Sequence, residues 1–207
     1  FTCSPEVDHV PKPSPEAEAL FKQARALHVQ ALEGEVADKA LLRKAVEGYD
    51  KAYQAGHWKG ARNIALMASA GVTHHGEIIN PPDHSLAKKY AKKLMAMNSA
   101  TGYNLMAAYA FDGWAGVLRS EETALTYMRK AADLGLPEAQ FTVGRKLTNT
   151  AKDAVPDEDR LKIKAIGKQM QACAARQGLA EAAFDLASEY KVVDENYPYA
   201  LFYYHQA

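Results

Sequence analysis

Small and aromatic residues recur at helical spacing along most of this chain. Ala124, Tyr127 and Ala131 follow one another at intervals of three and four, which places them on one stripe of a helix. Gly135 comes four residues later, and Ala139 then starts a second stripe of small residues. This order predicts a helix, a tight turn and a second helix that packs closely against the first.

The same frame recurs before and after this segment, and a fifth copy begins at Ala200. Its turn residues, which are 42, 37 and 43 residues apart, are Gly56, Asn98, Gly135 and Gly178. Glycine and asparagine enter the left-handed backbone conformation at least cost, so each is predicted to end a helix. Repetition at this period is typical of a stacked helical solenoid, a class of fold that mostly provides binding surfaces.

Capping residues mark the predicted helix starts. Ser120 and Asp157 precede acidic residues and are predicted N-caps, and Asp38 is assigned the same role in the first copy. Ser14 followed by Pro15 opens an additional amphipathic helix. Because terminal repeats need a polar outer face, this helix is predicted to cap the N-terminal end of the array.

The third copy carries the residues that identify a family. Residues 109–147, in which the run Asp112-Gly113-Trp114-Ala115-Gly116-Val117 leads into the frame, resemble a Sel1-like repeat, an α/α repeat related to tetratricopeptide repeats. The first two copies depart from the pattern, with Gly48 in the aromatic place and Leu94 in the alanine place. The resemblance implies an all-α fold: a right-handed α/α solenoid of Sel1-like/TPR-like helical hairpins with an N-terminal capping helix.

These observations predict two regions. Residues 1–14 hold three prolines and no helical period, so an extended tail is expected. Residues 15–207 are expected to form a single Sel1-like repeat domain. Its parts are predicted as a capping helix at 15–33, repeats at about 38–71, 85–112, 120–148 and 157–190, and a partial repeat at 198–207.

Composition narrows the class of partner. The chain of 207 residues has 25 basic and 25 acidic residues, so its formal charge is zero and no nucleic-acid footprint is indicated. No apolar run approaches the roughly 20 residues of a transmembrane helix. The pairs Lys88-Lys89 and Lys92-Lys93 form a basic face on one helix. That face is either solvated or a docking site for an acidic partner.

The two cysteines do not determine in which cellular compartment the chain is located. The chain starts without methionine, which indicates a processed or trimmed product, and Cys3 is then a candidate for a lipid anchor, although Thr2 departs from the usual lipobox. Cys173 is expected to be a small packing residue. Two cysteines this far apart allow a disulfide without predicting one.

No catalytic motif is found, and no cofactor is expected. The segment 72–84 holds three histidines, but their spacing does not suit a metal site. It is predicted to be a long partner-facing loop. The pair Ile78 and Ile79 either forms an apolar contact point there or packs back onto the second helix pair.

Aromatic residues outside the frame complete the set of candidates. Trp58 is expected to pack between helices, whereas Trp114 is a candidate interface anchor. In related solenoids the first helix of each hairpin lines the concave side, so large and polar positions on those helices are candidates too. The predicted partner-binding residues are His74, His75, Ile78, Ile79, Trp114, Lys88, Lys92, Arg129, Asp133, Tyr199 and Tyr204.

In size, degenerate repeats and long loop, the chain resembles Sel1-like immunity proteins that accompany type VI secretion phospholipase effectors. That resemblance implies a non-enzymatic inhibitor that binds a toxic phospholipase or lipase and occludes its active-site entrance. It implies a periplasmic location, with outer-membrane anchoring and a cytoplasmic location left open. The alternative is a scaffold or regulator for protein–protein interactions in the cell envelope. An enzymatic function is the least favoured hypothesis.

Overall fold

The computed structural model describes residues 1, 3–150, 156–192 and 196–204. In this part the chain is all-α apart from one short hairpin, and the predicted fold class is confirmed. A 3-10 helix, Glu6–Asp8, precedes the first α-helix. The helices are α1 (Pro15–Ala31), α2 (Lys39–Gln54), α3 (Trp58–Ala70), α4 (His84–Ala96), α5 (Ala100–Asp112), α6 (Glu121–Asp133), α7 (Pro137–Thr150), α8 (Asp157–Arg176), α9 (Ala180–Val192) and α10 (Tyr197–Tyr204).

The chain divides into two compact units, and the division falls inside α6. The central unit is His9–Tyr127. The terminal unit combines Phe1–Asp8 with Met128–Ala207. The prediction of one repeat domain over 15–207 remains a prediction, because the repeats are distributed over both units.

The four predicted turn residues adopt the conformation for which they were singled out. Gly56, Asn98, Gly135 and Gly178 have φ angles of 96°, 61°, 83° and 89°. Each turn closes with the same pair of backbone hydrogen bonds. In the first, the amide of Gly56 donates to Tyr53 at 2.8 Å, and the next amide donates to the carbonyl five residues back at 2.8 Å. This is the Schellman pattern, so local sequence alone determines where each first helix ends.

Small residues permit close helix packing, as the repeat frame predicts. A Cβ added to Gly102 would lie 2.7 Å from the carbonyl oxygen of Ala91, so α5 and α4 approach closely at this point. In the terminal unit, a Cβ on Gly144 would lie 2.6 Å from the carbonyl oxygen of Gly167, which brings α7 against α8. Each contact tolerates no side chain larger than hydrogen.

Helix α1 packs on α2, in the position predicted for a cap. Its N-cap Ser14 accepts a hydrogen bond from the amide of Ala17 at 3.1 Å. Phe21 stacks on His57, whose ring is 1% exposed, with ring centroids 4.4 Å apart. The Nε2 atom of His57 lies 3.0 Å from a Glu18 carboxylate oxygen, and this hydrogen bond lowers the pKa of Glu18. The polar face of α1 thus supplies a fixed link to the start of α3.

The remaining predicted caps are largely confirmed. Asp38 accepts from two amides at the start of α2, and the Ser120 hydroxyl accepts from the Thr123 amide at 3.1 Å. The prediction for Asp157 is wrong by one position, because Asp157 already lies within α8 and the preceding Pro156 provides no side-chain cap. Trp58 is 4% exposed, which confirms its packing role.

A disulfide between Cys3 and Cys173 joins the predicted tail to α8 within the terminal unit. Cys173 is fully buried, so it is both a packing residue and a cross-link. Lipid attachment at Cys3 would require the sulfur that the disulfide already uses. The expectation of a possible lipid anchor at Cys3 is therefore wrong for this structure.

Candidate protein-binding surface

A β-hairpin replaces the loop predicted over 72–84. Strand β1 (Val72–His74) pairs antiparallel with β2 (Glu77–Asn80). The two turn residues, His75 and Gly76, have φ angles of 47° and 84°, as a tight two-residue hairpin turn requires. β-branched residues on both sides of a turn glycine favour a hairpin, so the prediction of a loop over 72–84 is wrong.

The two isoleucines of the hairpin have opposite environments. Ile79 packs against a buried cluster that includes Ala31 and Leu42, whereas Ile78 is 66% exposed. His74 donates through Nε2 to the carbonyl oxygen of Gly34 at 2.7 Å, which ties β1 to the end of the capping helix region. The base of the hairpin is thus anchored while Ile78 faces solvent. Ile79 packs inward on the capping helix and the first repeat and not on the second helix pair, while a contact role for Ile78 stays a prediction.

Trp114 is half exposed and rests on the start of α4. Its ring lies 4.9 Å from the ring of His84, which in turn meets Tyr109 edge-on at 5.8 Å. The Nδ1 atom of His84 is buried and has no hydrogen-bond partner among the described residues. Aromatic packing therefore holds this ring, and with it the loop that carries Trp114.

The predicted basic face on α4 is divided between internal contacts and exposed charge. Lys88 donates through Nζ to the carbonyl oxygen of Ala115 and so fixes the loop between α5 and α6. Lys93 lies over the rings of Tyr53 and Tyr90, at 4.5 and 4.2 Å. Lys92, by contrast, is exposed. Of the lysines proposed for partner contact, Lys92 is presented outward and Lys88 supports the loop.

The contacts of Lys93 belong to a polar joint between α2 and α4 that the sequence did not reveal. The hydroxyl of Tyr90 donates to Asp50 at 2.5 Å, and Gln54 donates to the same carboxylate at 2.6 Å. Burial, and then the hydrogen bond to Asp50, raise the pKa of Tyr90. No motif marks these residues, because they meet only after the first two repeats have packed.

Four exposed apolar side chains lie around this part of the central unit. They are Ile78, Phe111, Trp114 and Leu118, with exposed fractions of 66%, 55%, 50% and 86%. His84 follows β2 after three residues and packs on Trp114, so the start of α4 connects the hairpin to the α5–α6 loop. We call this surface, residues 72–80 and 111–118, the hairpin–loop edge. Sequence reasoning missed Phe111 and Leu118, whose signal was an apolar residue outside the repeat frame.

The remaining predicted residues lie in the terminal unit. Arg129 and Asp133 are exposed on α6. Tyr199 is 56% exposed and packs against Tyr190 with ring centroids 5.4 Å apart. The side chain of Tyr204 lies outside the described residues. Within the central unit the structure brings Trp114, His84 and Lys88 together, while Arg129, Asp133 and Tyr199 belong to the terminal unit.

The three histidines of segment 72–84 make aromatic ring contacts. His74 and His75 have ring centroids 4.0 Å apart, while His84 is engaged by Trp114. Among the described residues, no three His, Cys, Asp or Glu side chains are grouped so as to hold a metal ion. Within the same part of the chain, no helix is both long and apolar enough to span a bilayer.

Comparison with known proteins yields matches at the level of structure. No protein-family model matches the chain, and neither does any curated protein sequence. A solved structure of the immunity protein Pa5087 from Pseudomonas aeruginosa is similar over all of this chain and 70% of its own, with 29% identity and a TM-score of 0.67. The immunity protein PA5088 from the same organism matches over all of this chain and 69% of its own, with 29% identity and a TM-score of 0.67.

A third match concerns the fold alone. A Sel1 repeat protein from Oxalobacter formigenes is similar over 93% of this chain and 74% of its own, with 19% identity and a TM-score of 0.63. Together these structures confirm the resemblance inferred from the repeat frame. The chain is similar in structure to Sel1-like repeat proteins, and in structure and sequence to immunity proteins, which supports a protein-binding or immunity role.

Proposed function

We propose that this chain is an immunity protein that neutralises a secreted bacterial phospholipase by binding it. One observation carries the proposal: the whole chain is similar, at 29% identity and a TM-score of 0.67, to a protein named as an immunity protein. Inhibition by binding needs a pre-organised surface and no catalytic group of its own. The chain is accordingly proposed to be a non-enzymatic inhibitor.

Steric occlusion is the mechanism that the hairpin–loop edge supports. An enzyme that acts on phospholipids must admit acyl chains, so the entrance to its active site is apolar. Ile78, Trp114 and Leu118 would lose exposed apolar area against such a surface, which is favourable. Lys88 and His84 already hold the loop in place, so binding costs little further conformational entropy.

We place the inhibitor in the periplasm, where such an enzyme would attack the membrane. The disulfide between Cys3 and Cys173 supports this location, because disulfides form and persist in oxidising compartments. A reducing cytosol would not maintain the bond. The proposed compartment therefore agrees with the covalent structure of the chain.

Growth protection tests this function in cells. A phospholipase effector from the same genome, sought first among the neighbouring genes, is directed to the periplasm, where it should arrest growth. Co-expression of this chain with an export signal should restore growth, whereas the same chain retained in the cytosol should not. A scaffold would bind the enzyme without protecting the cell. Growth arrest that persists despite equal export of both proteins would contradict the proposal.

A further inference from the structure

The segment Cys3–Asp8, here called the strap, is bound covalently to the terminal unit. Its Cys3 is cross-linked to Cys173 across 170 residues of sequence, with Cα atoms 5.3 Å apart. Glu6, in the 3-10 helix of the strap, is only 9% exposed. Glu6 is the buried residue of the strap, and its other residues are exposed or partly exposed.

The strap backbone lies on the turn between α6 and α7. A Cβ added to Gly135 would overlap the carbonyl oxygen of Ser4, so this turn accepts the strap only because it carries no side chain. Gly178 forms the corresponding turn in the next repeat, with a φ of 89° against 83° at Gly135. A Cβ at Gly178 would meet nothing within 4 Å. The two glycines thus share a backbone conformation and differ in whether a strap covers them.

A positive charge lies at the cross-link. The Nη2 atom of Arg176 is 3.0 Å from the sulfur of Cys3 and 3.4 Å from the sulfur of Cys173. In the reduced chain a guanidinium at this place would stabilise a thiolate, which is the form that attacks a disulfide. Arg176 is thus positioned to speed closure of the bond.

We propose that oxidation of Cys3 and Cys173 is the step that seats the strap on the Gly135 turn, so that the terminal unit matures only in an oxidising compartment. The oxidant is a disulfide, either of a protein or of glutathione. One cysteine thiolate attacks it, forms a mixed disulfide and displaces a thiolate. The second cysteine then attacks the mixed disulfide and displaces the other thiolate. The chain loses two protons and two electrons, and the oxidant becomes two thiols.

Hydrogen exchange on the full chain tests whether the bond seats the strap. Amides around the Gly135 turn should exchange several-fold faster after reduction and alkylation, and also in Cys3→Ser. The melting temperature of either form should fall by about 5–15 °C relative to the oxidised chain. Unchanged exchange around Gly135 in the reduced chain would overturn the proposal, because the strap would then be seated without the bond.

The two glycines provide a matched pair of variants. Gly135→Ala and Gly178→Ala each place a methyl group on a left-handed residue, but only the first meets the strap. In the oxidised chain Gly135→Ala should lower the melting temperature more than Gly178→Ala does. In a Cys3→Ser background that difference should vanish. A difference of equal size in both backgrounds would show that seating is independent of oxidation.

Reoxidation kinetics test the role of Arg176. When the reduced chain is placed in a glutathione buffer, Arg176→Gln should close the disulfide several-fold more slowly than wild type and reach the same end point. Arg145→Gln, which removes an exposed arginine elsewhere in the terminal unit, is the control. Equal rates of disulfide closure for Arg176→Gln and Arg145→Gln would show that Arg176 does not speed the reaction. Neither outcome depends on the identity of the partner.

Discussion

Ile78 and Leu161 are exposed to nearly the same extent, 66% and 68%, but Ile78 lies on the hairpin–loop edge and Leu161 on α8. If the edge contacts the enzyme, Ile78→Ser and Trp114→Ala should each weaken binding by about tenfold to a hundredfold, as loss of an interface anchor does. Leu161→Ser should leave the affinity unchanged. Calorimetry of each variant with the phospholipase measures this. Equal affinities for Ile78→Ser and Leu161→Ser would exclude the edge as the contact.

Burial of one residue, His28, makes the stability of the folded chain depend on pH. Burial lowers the pKa of His28, whose Nδ1 lies 3.1 Å from the Tyr49 hydroxyl. Since the folded state then binds a proton less readily than the unfolded state, stability is present above the unfolded pKa of about 6.5 and is lost as pH falls through the lower folded value.

The expected result is a melting temperature that falls between pH 7 and pH 5 less steeply in His28→Phe than in wild type. Thermal unfolding followed by circular dichroism at several pH values measures the two slopes. His75→Asn removes an exposed imidazole from the hairpin turn and serves as the control. Parallel slopes for wild type and His28→Phe would show that His28 does not carry the effect.

At the scale of elements, the stability change caused by substituting Gly102 distinguishes the effect of helix packing from that of helix propensity. Propensity alone predicts that Gly102→Ala stabilises α5 by about 1 kcal/mol. A methyl group there would instead meet the Ala91 carbonyl and the Leu94 side chain at 2.7 Å, so we expect destabilisation by about 1–3 kcal/mol. Urea unfolding gives the sign. Ala139→Gly, at the equivalent place in the third repeat, is the control and should cost about 1 kcal/mol.

The helices could be predicted because their signals are local. Turn residues such as Asn98, caps such as Asp38 and small packing residues act within a few positions of their own element. The hairpin was missed because two short β-branched pairs around Gly76 carry little weight beside a helical repeat. The Asp50–Tyr90 contact and the Cys3–Cys173 bond join distant parts of the chain, so no local pattern contains them.

The candidate surface was predicted only in part, for a similar reason. Trp114 and Ile78 were identified because they lie outside the repeat frame. Whether Ile79 turned inward depended on its packing against Ala31 and Leu42, which only the folded chain defines. Exposure of Phe111 on an otherwise well-packed helix is likewise a property of the packed repeats.

At the scale of the whole molecule, two mechanisms of inhibition can be distinguished by the substrates that they protect. One is occlusion of the active-site entrance, and the other is a block of the enzyme's binding to the membrane. A chain that covers the active-site entrance should inhibit hydrolysis of both phospholipid vesicles and a short soluble ester. A chain that only keeps the enzyme away from the bilayer should inhibit the first and spare the second. The two substrates therefore separate the proposed mechanism from its nearest alternative.

The most direct measurement is a titration of phospholipase activity with the purified, oxidised chain. The enzyme is the phospholipase effector used in the growth-protection test, and the short soluble ester is the substrate. We expect activity to fall linearly and to reach its end point at one chain per enzyme, as a tight steric inhibitor requires. Full activity in the presence of excess chain would contradict the central claim.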